Sequence, residues 1–292
     1  MNKAILNLTI AGILLTGGVA FAKPLPAELI MGNGRSWKGM LVRRDGDWIE
    51  FSTGNSAKPI RIGASTVKEL NFEVRINAEK ISEMIKNREF ERVIDLLSRT
   101  IEPFAEYSDI PSNLTKYNSL LMEMYYRAEQ YDKSLAISSK IAGDDRNPPL
   151  QAKARVYQAL ALIDSGNSDE AKTLLSEYGW DKDASADAAP EELYIKAKLM
   201  QLNGDYSNAM ESVAKVVAFY SHDPDWIRPA EMLCAEIYTD LGLYDSAEEV
   251  CRQIRILYKN TPEFDKVKKL RIKIDKLRAE QKLEESLKSD EA

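Results

Sequence analysis

Two hydrophobic periods divide the chain. From Ala27 to Val74 apolar and polar residues alternate in short runs, which is the period of strands with one buried face. The stretch "WKGMLVRRDGDWIEFS" is two such runs joined across Asp45-Gly46, a pair that accepts the left-handed backbone of a tight hairpin. "KPIRI" and "VKELNFEV" supply two more strands, and "ELIM" before Gly32 another. Four or five short strands in so short a stretch predict a small, strongly bent barrel. Trp37, Met40, Val42, Trp48, Ile49, Phe51, Ile60, Ile62, Leu70 and Phe72 are the expected core. From Asn77 onward apolar residues recur at three- and four-residue steps, so the rest of the chain is expected to be helical.

The helical part is punctuated by one recurring turn. In "LGLYDSAEEV", Leu241 to Val250, Gly242 suits the left-handed residue that ends a helix, and Asp245 with Glu248 suits the start of the next. Tyr244 and Ala247 then supply a bulky and a small apolar group. "LNGDYSNAME" puts Gly204, Tyr206, Ser207 and Ala209 in the same slots, 38 residues earlier. "DSGNSDEAKT" does so with Gly166, a further 38 residues back, and "RAEQYDKSLA" with Glu129, Tyr131 and Ser134 another 37 back. "KNREFERVID" is a fainter copy, with Phe90 lying 41 residues before Tyr131. A fixed period of this length predicts stacked helical hairpins. Small residues also precede each turn (Ala159, Ala197 and Ala235), where they let two helices approach closely.

The order of a small residue, an aromatic, Gly, an aromatic and Ala at these spacings resembles the tetratricopeptide repeat family. The resemblance runs from about Asn77 to Pro262, and the Trp and Leu-Gly found near each repeat start in that family are missing. It implies an α-solenoid of about five hairpins whose first helices line a concave wall that binds a protein segment. The wall residues so implied are Lys116, Glu123, Tyr126 and Arg127 in one repeat, then Lys153, Val156, Leu160 and Ile163. Tyr194, Lys198, Gln201 and Leu202 follow, and then Met232, Glu236 and Thr239. The Lys/Asn cluster with which some members hold a C-terminal carboxylate is missing, so that ligand class is not expected. The strand-rich part resembles SH3-like or Sm-like barrels, an analogy of fold that carries no function.

The termini complete the organisation. Lys3, the apolar run Ile5 to Phe21 and Ala20-Phe21-Ala22 have the form of an export signal, so residues 1–22 are expected to be cleaved and the protein to be periplasmic or extracellular. An uncleaved anchor is the alternative. The expected domains are then a β-barrel at 23–75, the repeats at 76–262, and a capping helix with a charged tail at 263–292. Phe264, Val267, Leu270, Ile274 and Leu277 would cover the open end of the last repeat.

Charge and candidate chemistry narrow the function. The full chain has 40 Lys and Arg against 46 Asp and Glu, mixed along its length, so neither a nucleic-acid groove nor a basic membrane surface is indicated. Cys234 and Cys251 fall on the two helices of the last hairpin. In an exported protein they can form a bridge that staples it, or remain two buried thiols. His222 is the one histidine, in a loop without a nearby nucleophile. No phosphate loop, zinc motif or calcium loop is present, and no metal or cofactor is expected. What remains is binding. The expectation is a non-enzymatic scaffold for protein partners within a cell-envelope complex. The alternative is an accessory protein that binds a small ligand or glycan through the β domain.

Overall fold

The structure is a computed structural model that describes residues 24–54, 58–180 and 188–290. The proposed export signal and its cleavage point at Ala22 lie outside the described residues. The chain divides into two compact units: the residues up to Ile76 together with Arg99–Leu114, and Asn77–Ser98 together with the residues from Thr115 onward.

The first unit is an antiparallel sheet of β1 (Leu25–Met31), β2 (Ser36–Asp45), β3 (Trp48–Ser52), β4 (Ile60–Gly63) and β5 (Val67–Phe72), in the order β4-β3-β2-β1-β5. Asp45 pairs with Trp48 across the tight turn at Gly46, whose φ is 55°. The expected barrel is corrected here: the sheet is open, and β4 and β5 do not pair with each other. The physical reason lies in residues 99–114, which the repeat spacing assigns to the hairpins. They pack in the sheet's unit instead. Phe104 and Tyr107, in the 3₁₀ turn Glu102–Tyr107, lie with ring centroids 4.5 and 6.1 Å from Phe72. They join Leu29, Leu41, Ile49, Phe51 and Leu70, all essentially buried, so the apolar face is covered without the sheet closing on itself.

The same segment satisfies the outer edge of β5. The Leu70 amide donates to Pro111 (2.8 Å), and the Asn113 side chain accepts from the Phe72 amide (3.0 Å) and donates to its carbonyl (2.9 Å). Edge groups capped in this way cannot recruit another strand. Arg44 fixes the segment from the other side by donating to the Glu106 carbonyl and to both oxygens of Asp109. Of the expected barrel core, Ile49, Phe51, Ile62, Leu70 and Phe72 are buried, whereas Met40, Trp48 and Ile60 are exposed. Trp48 stands opposite Asp45 on the solvent face, where the period-2 alternation with buried Ile49 puts it.

The second unit is helical. It contains α1 (Ala78–Lys86), α2 (Phe90–Ile101), α3 (Thr115–Arg127), α4 (Tyr131–Ala142), α5 (Pro148–Asp164) and α6 (Ser168–Glu177). α7 (Pro190–Leu202), α8 (Tyr206–Phe219), α9 (Ile227–Asp240), α10 (Tyr244–Leu257) and α11 (Pro262–Asp290) complete it. α2 begins here and ends at the boundary with the first unit. The odd-numbered helices from α3 to α11 touch in series, and α3, α5, α7 and α9 each pack on the helix that follows.

Five of the connections share one geometry. Arg88, Glu129, Gly166, Gly204 and Gly242 all have positive φ, between 59° and 86°. In each case that residue's amide donates three residues back and the next amide five residues back, as in Gly242 to Thr239 (3.0 Å) and Leu243 to Tyr238 (2.9 Å). This is the paired closure that satisfies the last carbonyls of a helix around one left-handed residue. The slot five residues on is always small or branched and fully buried: Val93, Ser134, Ala171, Ala209 and Ala247. Ser134 satisfies its hydroxyl on the Met122 carbonyl, 3.0 Å away.

Candidate functional site

The wall predicted from the resemblance lies on α3, α5, α7 and α9, and the structure places its residues in two environments. Val156, Leu160, Ile163, Tyr194 and Met232 are buried, with Leu160 5% and Tyr194 7% exposed, and Thr239 is buried as well. Trp226, from the loop before α9, packs on Tyr194 with centroids 5.6 Å apart. Tyr126 meets Tyr157 edge-on at 5.4 Å and Tyr131 at 5.7 Å. These side chains form a core, and they offer a partner little surface.

Val156, Leu160, Ile163 and Tyr194 are buried in one cluster with Leu174, Leu193, Val213 and Leu233 of the helices beside them. The α1–α2 turn meets the start of α11, where Arg88 donates to Asp265 at 2.5 Å. The first turn of the helical unit and its last helix therefore touch. Asp225 lies near enough to raise the phenol of Tyr157, and Glu263 that of Tyr194, although burial is the first cause in both.

The polar wall residues are mutually paired. Glu123 binds Lys153 at 2.6 Å and Arg127 at 2.5 Å. Asp164 accepts from the Tyr126 hydroxyl (2.5 Å) and pairs with Lys198. Asp240 accepts from Gln201 (2.8 Å) and Lys273 (2.9 Å). Apart from Glu123–Arg127, which lies within α3, each bond joins one odd-numbered helix to the next. Asp164 and Asp240 end their helices, where the dipole disfavours a carboxylate, so the cation from the following helix offsets a local cost. Glu236 is half-buried near Lys198 and Lys266; burial outweighs their attraction and raises its carboxyl. Lys116 stays exposed, 4.8 Å from the Tyr117 ring, and the Leu202 side chain is 54% exposed.

Sequence reasoning missed Asp164, Asp240, Tyr157 and Trp226. A signal existed: Lys198 follows Asp164 by 34 residues and Lys273 follows Asp240 by 33, close to the repeat period. Of the two readings of the cysteines, the structure has the two thiols. Both thiols are free, and they face different cores: Cys234 packs on the α7–α8–α9 cluster, whereas Cys251 is sealed among Met232, Ala235 and Val267. Burial pushes Cys234 up to about 12 and Cys251 up to about 11, so neither is a ready nucleophile.

Two clefts open elsewhere on the helical unit. One, of about 550 Å³, is lined by Arg252, Arg255, Ile256, Lys259, Asn260 and Phe264; the other, of about 420 Å³, lies between α1 and α2 beside Lys80 and Arg92. Among the described residues no group of three or more His, Cys, Asp or Glu is placed to hold a metal ion. Among them, too, no helix is long and apolar enough to cross a membrane. No family of known proteins matches the chain, and no curated protein sequence matches it.

Proposed function

We propose that this chain is an exported, non-enzymatic interaction scaffold whose helices form a tetratricopeptide-like solenoid. The observation that carries the reading is the identical closure of five helix–helix turns at 37–41-residue spacing, each followed by a fully buried small or branched residue. Stacked hairpins of this kind bind other proteins through the face of their first helices. Here the accessible part of that face is cationic: Lys116 is exposed, and the side chains of Arg127 and Lys153 are 37% and 40% exposed around the single carboxylate of Glu123. Its partner is therefore an acidic protein segment within an envelope complex. The buried tyrosines behind it hold the helices in place and do not bind.

Affinity capture from envelope fractions, compared between the wild type and Lys116→Glu/Arg127→Glu/Lys153→Glu, tests this. The variant folds and loses the partner. A partner retained at wild-type level refutes the cationic face. The mature N-terminus is expected at Lys23, which sequencing of the exported protein reads directly.

A second reading rests on one observation in the sheet. Trp48 is 46% exposed, with the Arg61 guanidinium 5.2 Å from its ring, an aromatic and cationic pair on a solvent face. It supports binding of a small ligand or glycan, and loss of the partner in Trp48→Ala alone would favour it.

A further inference from the structure

The cleft between the end of α10 and the start of α11 has no role in the scaffold reading. Arg252, Arg255 and Lys259 surround it, and Ile256 and Phe264 give it an apolar floor. Arg252 is bound to Glu249 at 2.6 Å, whereas Arg255 and Lys259 make no ion pair with the described residues. Ile256 and its neighbour Leu257 are 58% and 64% exposed. A cationic rim around exposed apolar groups fits an acidic segment that also carries aliphatic side chains.

Such a segment is present in the same chain. α11 is last buried at Ile274, and Arg278 still touches α10 through Asp245 (2.8 Å). The helix then continues to Asp290, about 18 Å beyond Arg278 at 1.5 Å per residue. From Ala279 to Asp290 its sequence has four acidic residues against two lysines. Leu283 and Leu287, one turn apart, are 62% and 58% exposed. Ile272, 71% exposed, falls on the same stripe, 11 residues before Leu283, a spacing that returns to one helix face. The first half of α11 has the opposite charge, with seven Lys and Arg against three acids from Pro262 to Arg278.

We propose that two copies of this chain associate through antiparallel α11 helices, each acidic tail lying along the partner's basic half and ending in its cleft. Leu287 of one copy then meets Phe264 and Ile256 of the other, and the small Ala279 lies across from Ile272. The exchange is reciprocal, so the interface closes as a two-fold dimer and does not propagate into a fibre. Charge complementarity selects a second copy of this chain as the occupant, because the tail and the cleft match in both charge and apolar content.

Sedimentation equilibrium of the full mature chain tests this, alongside Leu283→Glu/Leu287→Glu and Arg255→Glu/Lys259→Glu. All four positions are on the surface, and circular dichroism confirms that the variants keep their helices. The wild type is expected to have the mass of two chains. Each double variant is expected to fall to one chain, more completely with rising salt for a weakened but surviving pair. A wild type of single-chain mass at hundreds of micromolar overturns the proposal. So does a dimer that both variants leave intact, because the contact then lies on another face.

Discussion

At the scale of single residues, burial separates side chains that bind from side chains that hold the fold. Leu160 and Tyr194 are packed on every side by α5, α7 and the α8–α9 core, so truncation leaves a void. Leu160→Ala should cost about 2–5 kcal/mol in denaturant unfolding, the range for cavities of this kind. Backbone conformation gives a change of opposite sign. Glu129 holds φ of 59° at a turn where three other repeats use glycine, and a Cβ in that region is disfavoured by about 1–2 kcal/mol. Glu129→Gly should therefore raise stability by several tenths to about 1 kcal/mol, after the entropy that glycine adds to the unfolded chain. Gly242→Ala should lower it by about 1 kcal/mol, since φ there is 74° with open space around the position. Calorimetry of the pair decides both signs. Glu236 is a third case. Its raised carboxyl means that the folded state holds the proton more firmly than the unfolded chain does. Stability from this group is therefore greatest below the unfolded carboxyl range and falls as pH rises through the folded value. Glu236→Gln should melt above wild type at pH 7, with the difference vanishing near pH 4; a difference independent of pH would contradict this assignment.

At the scale of elements, the sheet shows what local pattern reveals and what it leaves hidden. The alternation over residues 27–74 located all five strands, and Asp45-Gly46 located the hairpin, because both are local properties. It did not reveal openness. What covers the sheet is "EPFAEYSDIPSNL", more than 25 residues downstream and embedded in helical sequence, and nothing in its own spacing shows which surface Phe104 and Tyr107 will meet. The helical turns were legible for the reason that made the strands so: one left-handed residue and one small residue recur at fixed offsets. Wall exposure was not legible, because it depends on how far successive hairpins rotate. Gly39 belongs to this scale too. A Cβ there would stand 2.2 Å from the Ser52 carbonyl oxygen and 2.9 Å from the Phe51 ring, since β2 and β3 are pressed together where the sheet bends. Gly39→Ala should lose more than about 1 kcal/mol and broaden the amide signals of β3, which a heteronuclear correlation spectrum would report. The cysteine pair also divides by element, with one thiol against α7–α8 and one against α11. Both should resist alkylation in native protein at pH 8 and react fully once unfolded, and a native mass short by two hydrogens would contradict their separation.

At the scale of the whole helical unit, a chain of contacts carries the account. Glu123, Asp164 and Asp240 each reach a cation on the next odd-numbered helix, so the polar wall is a ladder of bonds between neighbours. Arg88 and Asp265 join its first turn to its last helix. That ion pair is partly exposed and adds little by itself. It lowers the Asp265 carboxyl, so its contribution is present above the usual carboxylate range and is lost as pH falls through the depressed value. The tyrosine wall is itself a core, with Leu160 and Tyr194 buried among α5 to α9 and Tyr126 packed against them. Equilibrium unfolding of Tyr126→Ala/Leu160→Ala/Tyr194→Ala tests that claim most directly. If these three side chains knit successive hairpins together, the variant should lose about 5 kcal/mol or more and be largely unfolded at 37 °C. An unfolding curve that overlays the wild type would contradict the account, and would return the three residues to an open groove.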